Sequence, residues 1–201
     1  MTLVPPSTVT EWHAFLKRYS LEFLGSEFLH AIEADGRRDP FVSEAQRSAE
    51  WLGFEPAGEE EILAAEQRLG VRLPPTYRNF LLTSNGWKML SYAVDAFPVT
   101  DIGWFPDVDP MLFEVWSDPD VIDINDEEDR ARVRLLERSL LIASDNGGSG
   151  HYLLLADSVA ENGEWTAYQW WTGDGGDIEP CGDFAALVVE LWEEEHARKD
   201  R

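Results

Sequence analysis

Cysteine occurs once in this chain, at Cys181, so no disulfide can form within it and its stability has to come from packing. Histidine is nearly as scarce. His13, His30, His151 and His196 stand far apart, with no His-x-x-x-His or Cys-x-x-Cys spacing to hold a metal. No apolar run approaches the roughly 18 residues of a membrane span, and the opening MTLVPPSTVTEW has neither the basic flank nor the apolar core of a signal peptide. A cytoplasmic protein is expected, with no membrane contact. No internal repeat is visible, and the only low-complexity stretch is a short acidic loop.

The scarcest commodity is positive charge. Lys and Arg number 16 against 39 Asp and Glu. Residues 1–88 hold 13 acidic and 9 basic side chains, a net of −4, whereas residues 89–201 hold 26 and 7, a net of −19. Between Lys88 and Arg130 there is no Lys or Arg at all, and a second such stretch runs from Ser139 to Ala197. Carboxylates gathered in this way repel nucleic acid and anionic membrane, and speed encounter with a basic protein surface. The plain alternative is solubility, since a charge run is commonly a solvated face. The candidates for partner contact are Asp107, Asp109, Glu114, Trp116, Asp118, Asp120, Asp123, Asp126 and Glu127.

What the chain has in plenty is apolar mass. It is 44% apolar, with nine Trp and ten Phe among 201 residues, enough to bury a sizeable core in one main domain. Thr8 with Glu11 fits a capping box, and Trp12, Phe15, Leu16, Tyr19 and Phe23 mark one helical face that is expected to run on through Phe28 and Ile32. ADGRRDP breaks that pattern, and a shorter helix follows over Ser43 to Trp51. Residues 1–50 therefore read as a helical extension packed on a main domain of residues 51–201.

The densest run of signals is LGVRLPPTYRNFLLTSNGW, residues 69–87. Ile62, Ala65, Glu66 and Leu69 share a helical stripe that Gly70 closes. Leu73, Pro74 and Pro75 lead into a second helix with Tyr77, Phe80 and Leu81 on one face, and Asn85-Gly86 before Trp87 stops it. Beyond Trp87 the period changes to that of strands, near residues 90–98, 138–143, 150–157 and 164–171, with Asn162-Gly163 turning a hairpin. Helices are expected at Pro110 to Trp116 and in an Arg-rich run ending near Glu137. A last one, capped by Asp183, carries Phe184, Leu187, Val188, Leu191 and Trp192 toward the sheet. The fold class is α+β: N-terminal helices, then an antiparallel-rich sheet with a C-terminal helix packed on it.

The chemistry-bearing patterns are thin. Asp118 to Asp129 offers hard oxygen ligands, but no Gly falls at the sixth position of either EF-hand register. SDNGGSGH, residues 144–151, lacks the Lys-Ser/Thr and helix start of a phosphate loop and reads as a turn, as does GDGGD at 173–177. Cys181 sits among acids that raise a thiol pKa. No catalytic residue, metal ligand or cofactor is expected. Trp87, Trp104, Phe105 and Trp116 flank the acidic region, either as core or as hot spots for a basic partner.

The order of Ile62, Glu66, LG, LP, Tyr77, FLL and NGW resembles the SUKH superfamily, which includes the yeast cell-wall-synthesis regulator domain and many bacterial immunity proteins. The resemblance continues through Ile102-Gly-Trp-Phe105, Asp145-Asn-Gly-Gly148 with Tyr152, and the Phe184 helix, over about residues 51–195. It implies a non-catalytic protein that binds a toxin domain, often a nuclease, and blocks it. A regulatory adaptor or small-ligand module of the same fold is the alternative.

Overall fold

The computed structural model describes residues 3–34, 42–91, 94–120, 122–123, 125–145, 148–174 and 177–199. Most of the ADGRRDP break, Asn146-Gly147, Gly175-Gly176 and the side chains of Ile32 and His196 lie outside them.

Helix α1 (Val9–Leu24) opens on the box written in its sequence: Glu11 N donates to Thr8 Oγ1 at 3.3 Å and Thr8 N to the Glu11 carboxylate at 3.0 Å. The Ser7 amide and hydroxyl, each donating at 2.9 Å, and then Thr8 pull the Glu11 carboxyl down to about 2. Trp12, Leu16 and Tyr19 on one face are buried. Trp12 Nε1 donates to Thr76 O at 3.0 Å and the Tyr19 hydroxyl to Met89 O at 2.7 Å, so α1 is tied to the core by direction as well as by area. The helix does not run on through Phe28. It stops at Gly25, and Ser26 Oγ accepts from Leu29 N at 3.2 Å to open α2 (Glu27–Ala34), because a hydroxyl at that spacing offers the backbone a new start. Ser43 and Gln46 cap α3 (Glu44–Ala49) reciprocally.

Helix α4 (Glu59–Leu69) buries Ile62, Ala65, Glu66 and Leu69 and ends at Gly70, whose φ of 70° is the left-handed closing conformation. Glu66 is buried because the elbow needs it. Its carboxylate accepts from Leu73 N at 3.1 Å and lies 3.5 Å from Arg78 Nε. Helix α5 (Pro75–Leu81) starts from Pro74, which has no side-chain acceptor for the first free amides. Glu164, 88 residues further on, supplies one: it accepts from Thr76 N at 2.9 Å and Thr76 Oγ1 at 2.7 Å. The helix ends at Leu81, before Asn85-Gly86, and Asn85 Oδ1 instead accepts from Val99 N at 2.7 Å.

The remaining elements are β1 (Trp87–Ser91), β2 (Val94–Ala96), β3 (Gly103–Trp104), α6 (Phe105–Val108), α7 (Pro110–Ser117), α8 (Glu127–Glu137), β4 (Ser139–Asp145), β5 (Gly150–Val159), β6 (Trp165–Trp171), β7 (Ile178–Pro180) and α9 (Phe184–Lys199). Among the described residues they form a seven-stranded antiparallel sheet in the order β1-β2-β4-β5-β6-β7, with β3 pairing β4 beside β2. The 90–98 segment, expected as one strand, belongs to the β1/β2 hairpin. Met89 at φ 55° bulges β1, and Asp95 on β2 holds that bulge by accepting from Met89 N at 2.9 Å. The β5/β6 hairpin turns at Asn162-Gly163 as its sequence directs.

Both faces of the sheet are covered. Leu140, Ile142, Tyr152, Leu154 and Ala167 point into the main core with α1, α4, α5 and α9, while Leu141, Leu153 and Trp170 point the other way, under Phe105, Leu136, Phe113 and Trp116. Register fixes this, since Leu141 pairs Leu153 and Leu140 pairs Leu154, and one residue of slip would exchange the faces. Phe184 of α9 closes the main core with rings 4.7 Å from Tyr77, 5.1 Å from Phe80 and 5.6 Å from Trp12. Each such pair adds about 0.5–1.5 kcal/mol beyond area burial.

Candidate partner interface

The layer on the second sheet face is the segment in which the carboxylates gather. β3 delivers Phe105, fully buried, against Trp170 at 5.6 Å, and Pro106 starts α6 where a missing amide hydrogen costs nothing. Asp109 Oδ1 then caps α7 by accepting from Leu112 N at 3.0 Å. α7 turns Leu112, Phe113 and Trp116 inward. The Trp116 ring is 5.3 Å from Trp170, and the Arg132 guanidinium sits 5.6 Å above it. Trp116 is thus half-buried as a wall of this layer.

The loop after α7 uses several of its acids to hold itself. Asp118 Oδ1 accepts from Asp120 N at 2.8 Å, and Asp123 Oδ1 from Asn125 N at 2.9 Å. Asp126 caps α8 through Glu128 N at 2.8 Å and Asp129 N at 3.3 Å. Glu127 pairs Arg130 and Arg134, whose hydrogen bonds hold its carboxyl below the usual range. Asp129 meets Arg132 at 3.1 Å, and Arg138 meets Asp157 at 2.8 Å while lying 5.5 Å over Trp104. Every arginine of residues 105–138 is therefore engaged within the molecule, three of them inside the layer and Arg138 with Asp157 of β5. That segment carries 11 acidic residues against 4 arginines, a net of −7. Asp107, Glu114, Asp120 and Glu128 are exposed, and their carboxylates make no hydrogen bond or ion pair among the described residues.

The sequence candidates therefore fall into two sets. Asp109, Asp118, Asp123, Asp126 and Glu127 shape the layer, while Asp107, Glu114 and Asp120 face outward unengaged. Sequence reasoning passed over Val108, Met111 and Val115, which are exposed apolar side chains in the same layer. The available signal was that PMLFEVW has a single charged residue, so no rotation of α7 buries all its apolar side chains.

The 144–151 turn is held by Asp145. Partial burial works to raise its carboxyl, but the amides of Gly150 and Ser149 and the Ser149 hydroxyl, at 2.7–3.1 Å, keep it below the usual range. His151 is buried with rings of Trp170 at 5.3 Å and Phe105 at 6.1 Å. Burial lowers its pKa, against the pull of Gly148 O, Asp109 and Asp145. Burial, aided by the carboxylates of Glu190, Glu179 and Glu194, pushes the Cys181 thiol up to about 11, so no thiolate nucleophile stands there at neutral pH. Among the described residues no group of three or more His, Cys, Asp or Glu is placed to hold a metal ion, and no helix is long and apolar enough to cross a membrane.

A separate cleft of about 790 Å³ lies between α1, α3 and the 51–56 segment, lined by His13, Lys17, Gln46, Trp51, Phe54 and Lys88 among others. His13 stacks on Trp51 at 5.2 Å. Both lysines are already paired, Lys17 with Glu50 at 3.0 Å and Lys88 with Asp95.

Searched against curated proteins, the chain gives no match. Its residues 56–189, from the segment before α4 into α9, match the model of the SMI1 / KNR4 family (SUKH-1). With the α+β fold and the helix-elbow-helix of residues 59–81 in place, the chain belongs to that family.

Proposed function

We propose that this chain is a non-catalytic cytoplasmic immunity protein that binds a cognate toxin domain through its acidic layer and occludes that domain's active site. The observation that carries the reading is the separation of roles in residues 105–138: all four arginines are engaged internally, and exposed carboxylates at Asp107, Glu114, Asp120 and Glu128 are left to face a partner. A nuclease grips phosphates with Lys and Arg, so an acidic surface competes for that cleft by the electrostatics its substrate uses. The partner is a basic protein, and nucleic acid itself is repelled.

The test is titration of the chain with the catalytically inactivated toxin domain encoded beside it. Asp107→Asn, Glu114→Gln, Asp120→Asn and Glu128→Gln together should weaken binding by about 10-fold or more and flatten the salt dependence, with the melting temperature unchanged because none of the four braces the fold. Affinity equal to the parent chain's would remove the acidic layer from the interface.

The second reading, a regulatory or small-ligand-binding module, draws on the 790 Å³ cleft beside Trp51, a volume in the range of small-molecule sites. It predicts a metabolite that raises the melting temperature of the isolated chain.

A further inference from the structure

Helix α7 has apolar side chains on both of its sides. Leu112, Phe113 and Trp116 face Trp170 and the sheet, whereas Met111 is 76% exposed and Val115, one turn on, is 49% exposed. Val108, at the end of α6, is 37% exposed as well. Glu114 immediately precedes Val115, Asp118 follows it by three positions, and Asp107 immediately precedes Val108, so carboxylates neighbour these apolar side chains along the chain. A face serving solubility alone has no use for a methionine at its centre, since water gains nothing from it. An interface does. Its energy concentrates in a desolvated apolar centre, and the charged rim excludes water around it and steers approach.

We infer that Met111 and Val115 form the apolar anchor of the docking surface, and that the occupant is a protein domain presenting an apolar depression rimmed by Lys and Arg. The inference rests on the proposed toxin-binding role and specifies which part of the layer carries affinity. Charge decides between occupants. A second copy of this chain would set one net −7 segment against another, and a membrane or nucleic acid is anionic too, whereas a basic rim is complementary. The unbranched, polarizable Met111 suits a pocket it must fill by adjusting its rotamer.

The experiment compares Met111→Ala, Met111→Leu, Met111→Asp and Val115→Asp with the four-carboxylate variant, in titrations against the inactivated toxin domain at low and high salt. Met111→Asp and Val115→Asp are expected to weaken binding about 100-fold, and Met111→Ala about 10-fold, mainly through faster dissociation. Met111→Leu restores most of the affinity. Met111→Ala keeps the parent's salt slope, which the carboxylate variant does not. All of these variants melt with the parent, because the substituted side chains are exposed. Parent-like affinity of Met111→Asp and Val115→Asp, alongside weakened binding by the carboxylate variant, overturns the anchor and leaves the immunity reading standing. Failure of the parent chain to bind any neighbouring toxin domain overturns both. A homodimer of the isolated chain that Met111→Asp dissociates in sedimentation also overturns the anchor as stated.

Discussion

Glu164 shows how one side chain joins distant parts of this chain. Burial raises its pKa first of all, the Asp183 carboxylate adds to that, and the two bonds from Thr76 pull the other way. Its folded pKa lies above the unfolded value, so its contribution to stability is full below about 4.5 and is lost as pH rises through the folded pKa. The Thr76 hydroxyl serves the ionised form. Thr76→Val should therefore cost about 1.5–3 kcal/mol at pH 8, where the carboxylate loses a donor, and clearly less at pH 4, where it is protonated. Urea denaturation at the two pH values checks this, and an equal loss at both would refute it. None of this was legible in ENGEW, which reads locally as a turn, because the partner is 88 residues away. Glu66 is similar: its helical position was plain, but its task of holding Leu73 N is a contact across the elbow.

At the scale of elements, what was legible follows the reach of the interactions. Caps at Thr8, Ser43, Gly70 and Asp183 act within a few residues, and the corresponding helices begin or end where the sequence places them. The bulge within β1 depends on Asp95 of β2 reaching back to Met89, a contact between strands that no periodicity records. Two glycines of the elbow region separate conformational cost from steric cost. Gly70 has φ 70° with nothing within 4 Å of an added Cβ, whereas at Gly86, φ 97°, that Cβ would meet Ala96 O at 2.9 Å and Pro98 N at 3.2 Å. Gly70→Ala should cost about 1–2 kcal/mol, the left-handed term alone. Gly86→Ala should cost about 3 kcal/mol or more, since backbone must shift as well. Equal melting temperatures for the two variants would contradict this account.

At the scale of the molecule, the sheet divides two kinds of work. One face builds the main core with α1, α4, α5 and α9, and the other carries the acidic layer with Phe105, Trp116 and Leu136 beneath it. The charge imbalance between halves was legible from composition, because it needs only counting. The side on which the charge lies was not, because SLLIASD and HYLLLAD are apolar in successive residues and so give no sign of which face meets which layer. The exposed Met111 is hidden for the same reason, inside a helix whose successive apolar residues do not mark an inward side. The most direct measurement of the proposed immunity role is survival of a host cell made to express a candidate toxin domain taken from the genes neighbouring this chain's. Co-expression of the parent chain should restore growth, and co-expression of the chain carrying both the four carboxylate substitutions and Met111→Asp, folded and equally abundant, should not. Death of cells that hold the parent chain, or full rescue by that combined variant, would contradict the account.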